Sequence, residues 1–238
     1  MKNVLVNGGS RGIGRAIVEL FTERGYNVAF TYNNSINEAN ELSRKTGALA
    51  IKADSASESE VNIAVATVEE KIGRVDILIN NAAISGSGLF TDVSYEEWRR
   101  MFAVNLDGAF LYSKRVLPEM IREHSGRIIN ISSMWGITGA SCEVNYSATK
   151  AAIIGMTKAL AKEVGPSGIT VNCIAPGLID TDMNKNLSED DIASLVDETP
   201  LSRIGTPRDV AEAALFLAGE SSSFITGEVL NVNGGFLI

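Results

Sequence analysis

The chain has 238 residues, 45% of them hydrophobic and 21% charged, with 22 glycines and 5 prolines. This is ordinary globular composition, long enough for a full core and outside the collagen-like, low-complexity and disordered classes. Against 29 acidic residues stand 21 basic ones, a net charge of −8 and a pI near 4.8, so the average surface repels the phosphate backbone of a nucleic acid.

In chain order, Val4-Leu5-Val6 reads as a first buried strand and Ile13 to Glu23 as a helix. Six glycines then sit where a helix would stop left-handed before a β-branched run: Gly25 before Val28-Ala29-Phe30, Gly47 before Ala48 to Ile51, Gly73 before Val75 to Ile79, Gly126 before Ile128 to Ile131, Gly168 before Ile169-Thr170-Val171, and Gly227 before Val229-Leu230. Ser57-x-x-Glu60 and Ser94-x-x-Glu97 read as capping boxes, and Thr206-Pro207 as a helix start. A long helix follows Ser94, an apolar one runs from Asn145 toward Glu163, and the polar segment Met183 to Pro200 reads as a mobile helix covering a substrate. The strand runs are apolar nearly throughout, as burial on both faces of a parallel sheet requires. The fold class is therefore α/β: a single doubly wound domain over residues 1–238, with about seven parallel strands and helices on both faces.

No apolar run reaches the ~18 residues of a membrane span, and the opening Met1 to Val6 turns into glycines too soon for a signal peptide. Cys142 and Cys173 are far apart, and His124 is the lone histidine. That leaves no zinc pattern, no disulfide framework and no Ser-His-Asp triad. The expectation is a cytoplasmic protein with reduced thiols and no metal, nucleic-acid or membrane partner.

Between the first strand and helix lies Asn7-Gly8-Gly9-Ser10-Arg11-Gly12-Ile13-Gly14. Glycines let the backbone approach a pyrophosphate closely, and the N–H groups and positive end of the following helix favour the anion, so this loop predicts a dinucleotide site. Where an NAD site usually carries a carboxylate for the ribose hydroxyl, the second strand ends in Tyr32-Asn33-Asn34, with no carboxylate until Glu38. That favours NADP(H), with Arg11 placed to contact the 2′-phosphate; the alternative is a solvated Arg11 and a site that takes both cofactors.

Tyr146 and Lys150 stand four residues apart at the start of a helix, a spacing that puts both on one face and lets an ammonium lower the phenol's pKa. Ser132-Ser133 and Asn80-Asn81 end buried strands, where ligands bind in an open α/β sheet. Together with the glycine loop, Asn81-Ala82-Ala83, Val104-Asn105 and Pro176-Gly177, this order and spacing resembles the short-chain dehydrogenase/reductase family, with its Rossmann fold, over essentially the whole chain. Asn7 stands where the family usually has Thr, and Ala83 where it usually has Gly.

The resemblance implies roles. Tyr146 would protonate a carbonyl oxygen, Ser133 would hydrogen-bond the same oxygen, Lys150 would depress the phenol's pKa and hold the nicotinamide ribose, and Asn105 would support a water-mediated proton path to Lys150. Gly8, Ser10, Arg11, Gly12, Ile13, Gly14, Tyr32, Asn33, Asp54, Asn81, Pro176, Gly177, Ile179 and Thr181, with Tyr146 and Lys150, would meet the cofactor. Bland alternatives stay open: Ser132 as a backbone-bonding serine, Asp54 as a cap, Asn105 as a satisfied polar group, and Trp98, Met101, Phe102 and Phe110 as core or subunit-contact residues.

The ending Ile225 to Val229 and Asn233-Gly234-Gly235 looks like that of bacterial 3-oxoacyl-acyl-carrier-protein reductases, which implies NADPH-dependent ketone reduction in fatty acid synthesis. Asn130 to Tyr146 is also similar to bacterial reductases of the 5-aminopentanone group on elongation factor P. Glu143, three residues before Tyr146, would disfavour anionic substrates, or else be a solvated helix-start residue. From another class, a cofactor-sensing binding protein without turnover is the remaining reading. The family is commonly homotetrameric.

Overall fold

The computed structural model describes residues 1–185 and 188–238. Seven parallel strands, β1 (Asn3–Asn7), β2 (Asn27–Tyr32), β3 (Leu49–Lys52), β4 (Ile77–Asn80), β5 (Gly126–Ile131), β6 (Ile169–Pro176) and β7 (Val229–Val232), form one sheet in the order β3-β2-β1-β4-β5-β6-β7. The helices are α1 (Gly12–Glu23), α2 (Ile36–Thr46), α3 (Glu58–Ile72), α4 (Tyr95–Phe102), α5 (Gly108–Arg122), α6 (Trp135–Thr138), α7 (Val144–Val164), α8 (Glu189–Asp197) and α9 (Pro207–Ala218). This is the expected doubly wound α/β architecture.

Alternation along each strand divides the core in two. Val4 and Val6 point to the face where Ile17, Leu20 and Phe21 of α1 meet Val210, Ala214 and Leu217 of α9. Leu5 points the other way, with Leu78 and Ile128, toward Val65 of α3, Tyr112 and Val116 of α5, and Ala161 and Val164 of α7. Burial on both faces is the reason that the strand sequences carry no polar alternation. No helix among the described residues is long and apolar enough to cross a membrane.

The ends of elements depart from the sequence reading in three places. Five of the six punctuating glycines have positive φ, but Gly126 does not: His124 takes the left-handed conformation there (φ 48°). Gly126 instead opens β5, where a Cβ would stand 2.6 Å from the Met120 sulfur. Ser94 and Glu97 form a full capping box, whereas Ser57 caps α3 alone, because the Glu60 carboxylate accepts from the Asp54 N–H at 2.9 Å instead. The long helix after Ser94 is not uniform: residues Ala103–Asp107 form a π-helical turn between α4 and α5. Thr206 caps α9 with Pro207 in its first turn, and Asp209 completes a capping box.

The segment Met183 to Pro200 holds a 3₁₀ turn (Asp182–Asn184) and α8, capped by Ser188 and Asp191; Asn186 and Leu187, which fall in it, lie outside the described residues. Met101 is buried, Trp98 and Phe102 stack with ring centroids 4.8 Å apart, and Phe110 is exposed beneath the Lys114 ammonium.

Candidate active site

Strand order reverses direction between β1 and β4, and the loops at the carboxyl ends of the strands open there, which is where an α/β sheet takes its ligands. The glycine loop follows β1. Gly8 has φ +70°, and a Cβ on Gly14 would stand 2.2 Å from the Gly8 carbonyl oxygen, so only glycine at these positions lets the loop fold back over the start of α1. Asn7 anchors the loop: its Oδ1 accepts from the Asn81 and Ala82 N–H groups at 2.7 and 2.6 Å, and Asn81 Nδ2 donates to the Gly8 carbonyl at 2.8 Å. Asn7 Nδ2 in turn donates to Asn80 Oδ1 at 3.2 Å, so the one side chain ties the loop to β4.

Beside the loop lies a cleft of about 460 Å³. Of the residues expected to meet a cofactor, Gly8, Ser10, Arg11, Gly12, Ile13, Tyr32, Asn33, Asp54, Asn81 and Thr181 line it. Gly14 lies beneath, against Gly8. Ile179 is buried in the core over Gly205 and does not reach the cleft. Pro176 and Gly177 end β6 outside it: the Pro176 carbonyl accepts from Met134 N–H at 2.9 Å, and Gly177 packs on Asn233.

The cleft suits a dinucleotide. The start of α1 has no side-chain cap and no acidic residue in its first turn, so the N–H groups at its positive end are available to a phosphate. Arg11 stands at the lip, its guanidinium 3.7 Å from the Asp182 carboxylate, both exposed. A second groove, of about 410 Å³ between α3 and α5, lies away from the strand ends, and its Arg115–Glu69 and Arg122–Glu119 pairs neutralise each other.

Ser133, Tyr146, Lys150 and Asn105 are all buried at this end of the sheet, and none of them, including Tyr146 and Lys150, which were expected to meet the cofactor, lines the cleft. The Ser133 turn after β5 is fixed by Trp135 N–H, which donates to the hydroxyl at 3.1 Å. Ser132 bonds the Lys150 carbonyl at 2.8 Å, the backbone role open to it in the sequence. Asn105 sits in the π turn; its Oδ1 accepts from Ile84 N–H at 2.8 Å, and its Nδ2 donates to the Ile84 carbonyl at 2.9 Å and to Thr149 Oγ1 at 3.2 Å. Since Ile84 lines the cleft and Thr149 adjoins Lys150, Asn105 joins the cleft wall to α7.

The electrostatics differ from the sequence reading in one respect. Burial pushes the Tyr146 phenol up to about 12, opposed by the neighbouring Ser133 hydroxyl and reinforced by the Glu143 charge. The Lys150 ammonium donates to the Ile131 carbonyl at 2.9 Å and lies 5.6 Å from the centre of the Tyr146 ring. Burial brings Lys150 itself down to about 8. Glu143, at the start of α7, is partly buried, and burial alone raises its carboxyl above the usual range; among the described residues no cation offsets it.

Two features escaped the sequence. Asn7, Asn80 and Asn130 stand side by side in register on β1, β4 and β5, and Asn80 Nδ2 donates to Asn130 Oδ1 at 2.8 Å while Asn130 Nδ2 donates to Thr157 of α7 at 2.9 Å. Asparagine closing each of three apolar runs was the available signal. Arg100, in the last turn of α4, lines the cleft and pairs with Asp54; nothing in its local sequence marks it.

A family model described as enoyl-(acyl carrier protein) reductase matches residues 8–237. The chain is 43% identical to a 3-oxoacyl-acyl-carrier-protein reductase of Aquifex aeolicus, covering 97% of this chain and 95% of that one. It is 45% identical to the protein of the same name from Chlamydia muridarum, with 98% and 96% covered, and 41% identical to that of Vibrio harveyi, again with 98% and 96% covered.

Proposed function

The chain belongs to the short-chain dehydrogenase/reductase family, and from that premise we propose that it reduces the ketone of a 3-oxoacyl thioester on a carrier protein to a secondary alcohol, using NADPH. The observation that carries this reading is the buried group of Ser133, Tyr146 and Lys150, joined through Thr149 and Asn105 to Ile84 in the wall of the cleft. The nicotinamide cofactor, when bound, supplies hydride. Reduction builds negative charge on the carbonyl oxygen, which needs a placed donor and one proton source. Ser133 donates a hydrogen bond to that oxygen, and Tyr146, whose phenol at about 12 stays protonated through the physiological range, delivers the proton. Lys150 stabilises the phenolate left behind, and Asn105 holds the cleft wall at Ile84.

NADPH rather than NADH is supported by the run Tyr32-Asn33-Asn34-Ser35 in the cleft wall, which carries no carboxylate, and by Arg11 at the lip. Gly14, Pro176, Gly177 and Ile179 then act as supports of the loops around the cofactor. The same proposal takes residues 1–238 as one dinucleotide-binding domain, working in the cytoplasm as a homotetramer; exposed Phe110 on α5, Val144 on α7 and Phe224 before the edge strand β7 support the assembly. The cofactor-sensor alternative has no support among relatives named as reductases.

The test is steady-state turnover of an acetoacetyl thioester with each cofactor, for the wild type and Tyr146→Phe. We expect a higher kcat/KM with NADPH, and a loss of about 10²–10⁴-fold in Tyr146→Phe with NADPH binding retained. Equal use of both cofactors would remove the phosphate reading, and near-normal turnover of folded Tyr146→Phe would remove the mechanism.

Glu143 favours a second substrate. A partly buried carboxylate with no cationic partner among the described residues, felt by the Tyr146 phenol, suits a ketone that brings its own ammonium, such as the 5-aminopentanone group on elongation factor P. Glu143→Gln is expected to lower kcat/KM for an amino ketone and raise it for the acyl thioester; the same response from both substrates would remove Glu143 as a charge filter.

A further inference from the structure

We propose that Arg100 is a positioning residue for the cofactor's adenine, its guanidinium holding the Asp54 carboxylate in place as an acceptor for the exocyclic amine of the base. This rests on the dinucleotide reading above. Asp54 follows β3 and Arg100 ends α4, and the two meet in the cleft wall, Nη2 to Oδ2, at 3.1 Å. The other carboxylate oxygen accepts from Ala56 N–H at 3.0 Å. An ionised carboxylate has about four acceptor directions, so these two neighbours, one on each oxygen, leave about two of them to a ligand. Beneath, Glu60 holds the Asp54 N–H.

The pair is poorly explained as a stabilising contact. Arg100 is 49% and Asp54 26% exposed, and ion pairs at such positions contribute little to folding. It is well explained as a base site. Val104, one turn beyond Arg100, adds apolar wall for a flat ring, and a fixed carboxylate edge distinguishes an amine from a carbonyl at the same ring position. Burial works against the charge on Asp54, yet Ala56 N–H and Arg100 outweigh it and hold the carboxyl below its ordinary range, so it remains a pure acceptor. The planar fork of arginine fixes the carboxylate in angle as well as distance, which a lysine ammonium does not.

The experiment is isothermal titration of NADPH, and of its hypoxanthine analogue in which the amine is replaced by oxygen, into the wild type, Arg100→Met, Arg100→Lys, Asp54→Asn and the double variant Asp54→Asn/Arg100→Met. Loss of a charge-assisted hydrogen bond predicts that the wild type prefers NADPH over the analogue by about tenfold or more. In Arg100→Met the two dissociation constants should converge to within about twofold, Arg100→Lys should fall between, and the double variant should discriminate no less than Asp54→Asn, since the two side chains act as one unit. Discrimination in Arg100→Met equal to that of the wild type, or none in the wild type, would overturn the proposal. Should Arg100→Met not fold, Arg100→Lys at the full wild-type ratio would overturn it equally. Failure of the wild type to bind either dinucleotide would instead overturn the cofactor reading on which it rests.

Discussion

Lys150 is held at about 8, against an ordinary 10.5, because folding removes its ammonium from water and returns one carbonyl oxygen, that of Ile131. Between those two values the unfolded chain binds a proton that the folded chain has shed, so stability rises with pH across that window and the cost of the buried charge is fully present below it. The gap corresponds to about 3 kcal/mol. Urea unfolding of the wild type and Lys150→Met at pH about 7 and about 10.5 should therefore show the wild type gaining on the variant by that order as pH rises. A difference independent of pH would mean that the ammonium is better solvated than its burial implies. The Tyr146–Lys150 spacing was legible in the sequence because a helix fixes which residues share a face. The direction of the lysine was not, since its partner lies 19 residues upstream on β5 and only the sheet brings it near.

At the scale of elements, apolar runs and left-handed glycines were enough to place all seven strands, because a strand buried on both faces has no alternative polar pattern to confuse it. Local signals failed where a distant group competes for the same atoms. Glu60 abandons its capping box for Asp54 N–H, and the π turn at Ala103–Asp107 places Asn105 against Ile84 in a way no helical periodicity encodes. The row Asn7, Asn80, Asn130 ties β1, β4 and β5 together below the cleft, every amide in it buried. Removing the central member strands donors and acceptors on both sides, and unsatisfied buried groups cost about 1–3 kcal/mol each. Asn80→Ala should then lose about 2–4 kcal/mol by urea denaturation, whereas Asn40→Ala on the exposed face of α2 should stay within about 0.5 kcal/mol. Equal, small effects would show that water replaces the row without penalty.

Across the whole molecule the charge is −8, and the face proposed to meet the substrate shares it: α8 begins Glu189-Asp190-Asp191, Asp182 lies at the lip of the cleft, and Glu143 opens α7 beside Tyr146. An acidic carrier protein approaching this face meets like charge, while a small uncharged thioester of the same acyl group does not. Raising ionic strength from ~0.01 M to ~0.15 M shortens the screening length from ~30 Å to ~8 Å. Over that range kcat/KM for the carrier-linked 3-oxoacyl substrate should rise several-fold, and that for the small thioester should stay nearly constant, because only the former depends on the long-range field. If the carrier-linked rate falls with salt instead, attraction at a local basic patch outweighs the acidic rim, and the carrier does not dock across α8. If neither rate responds, the approach of the carrier does not limit turnover, and the surface charge serves solubility alone.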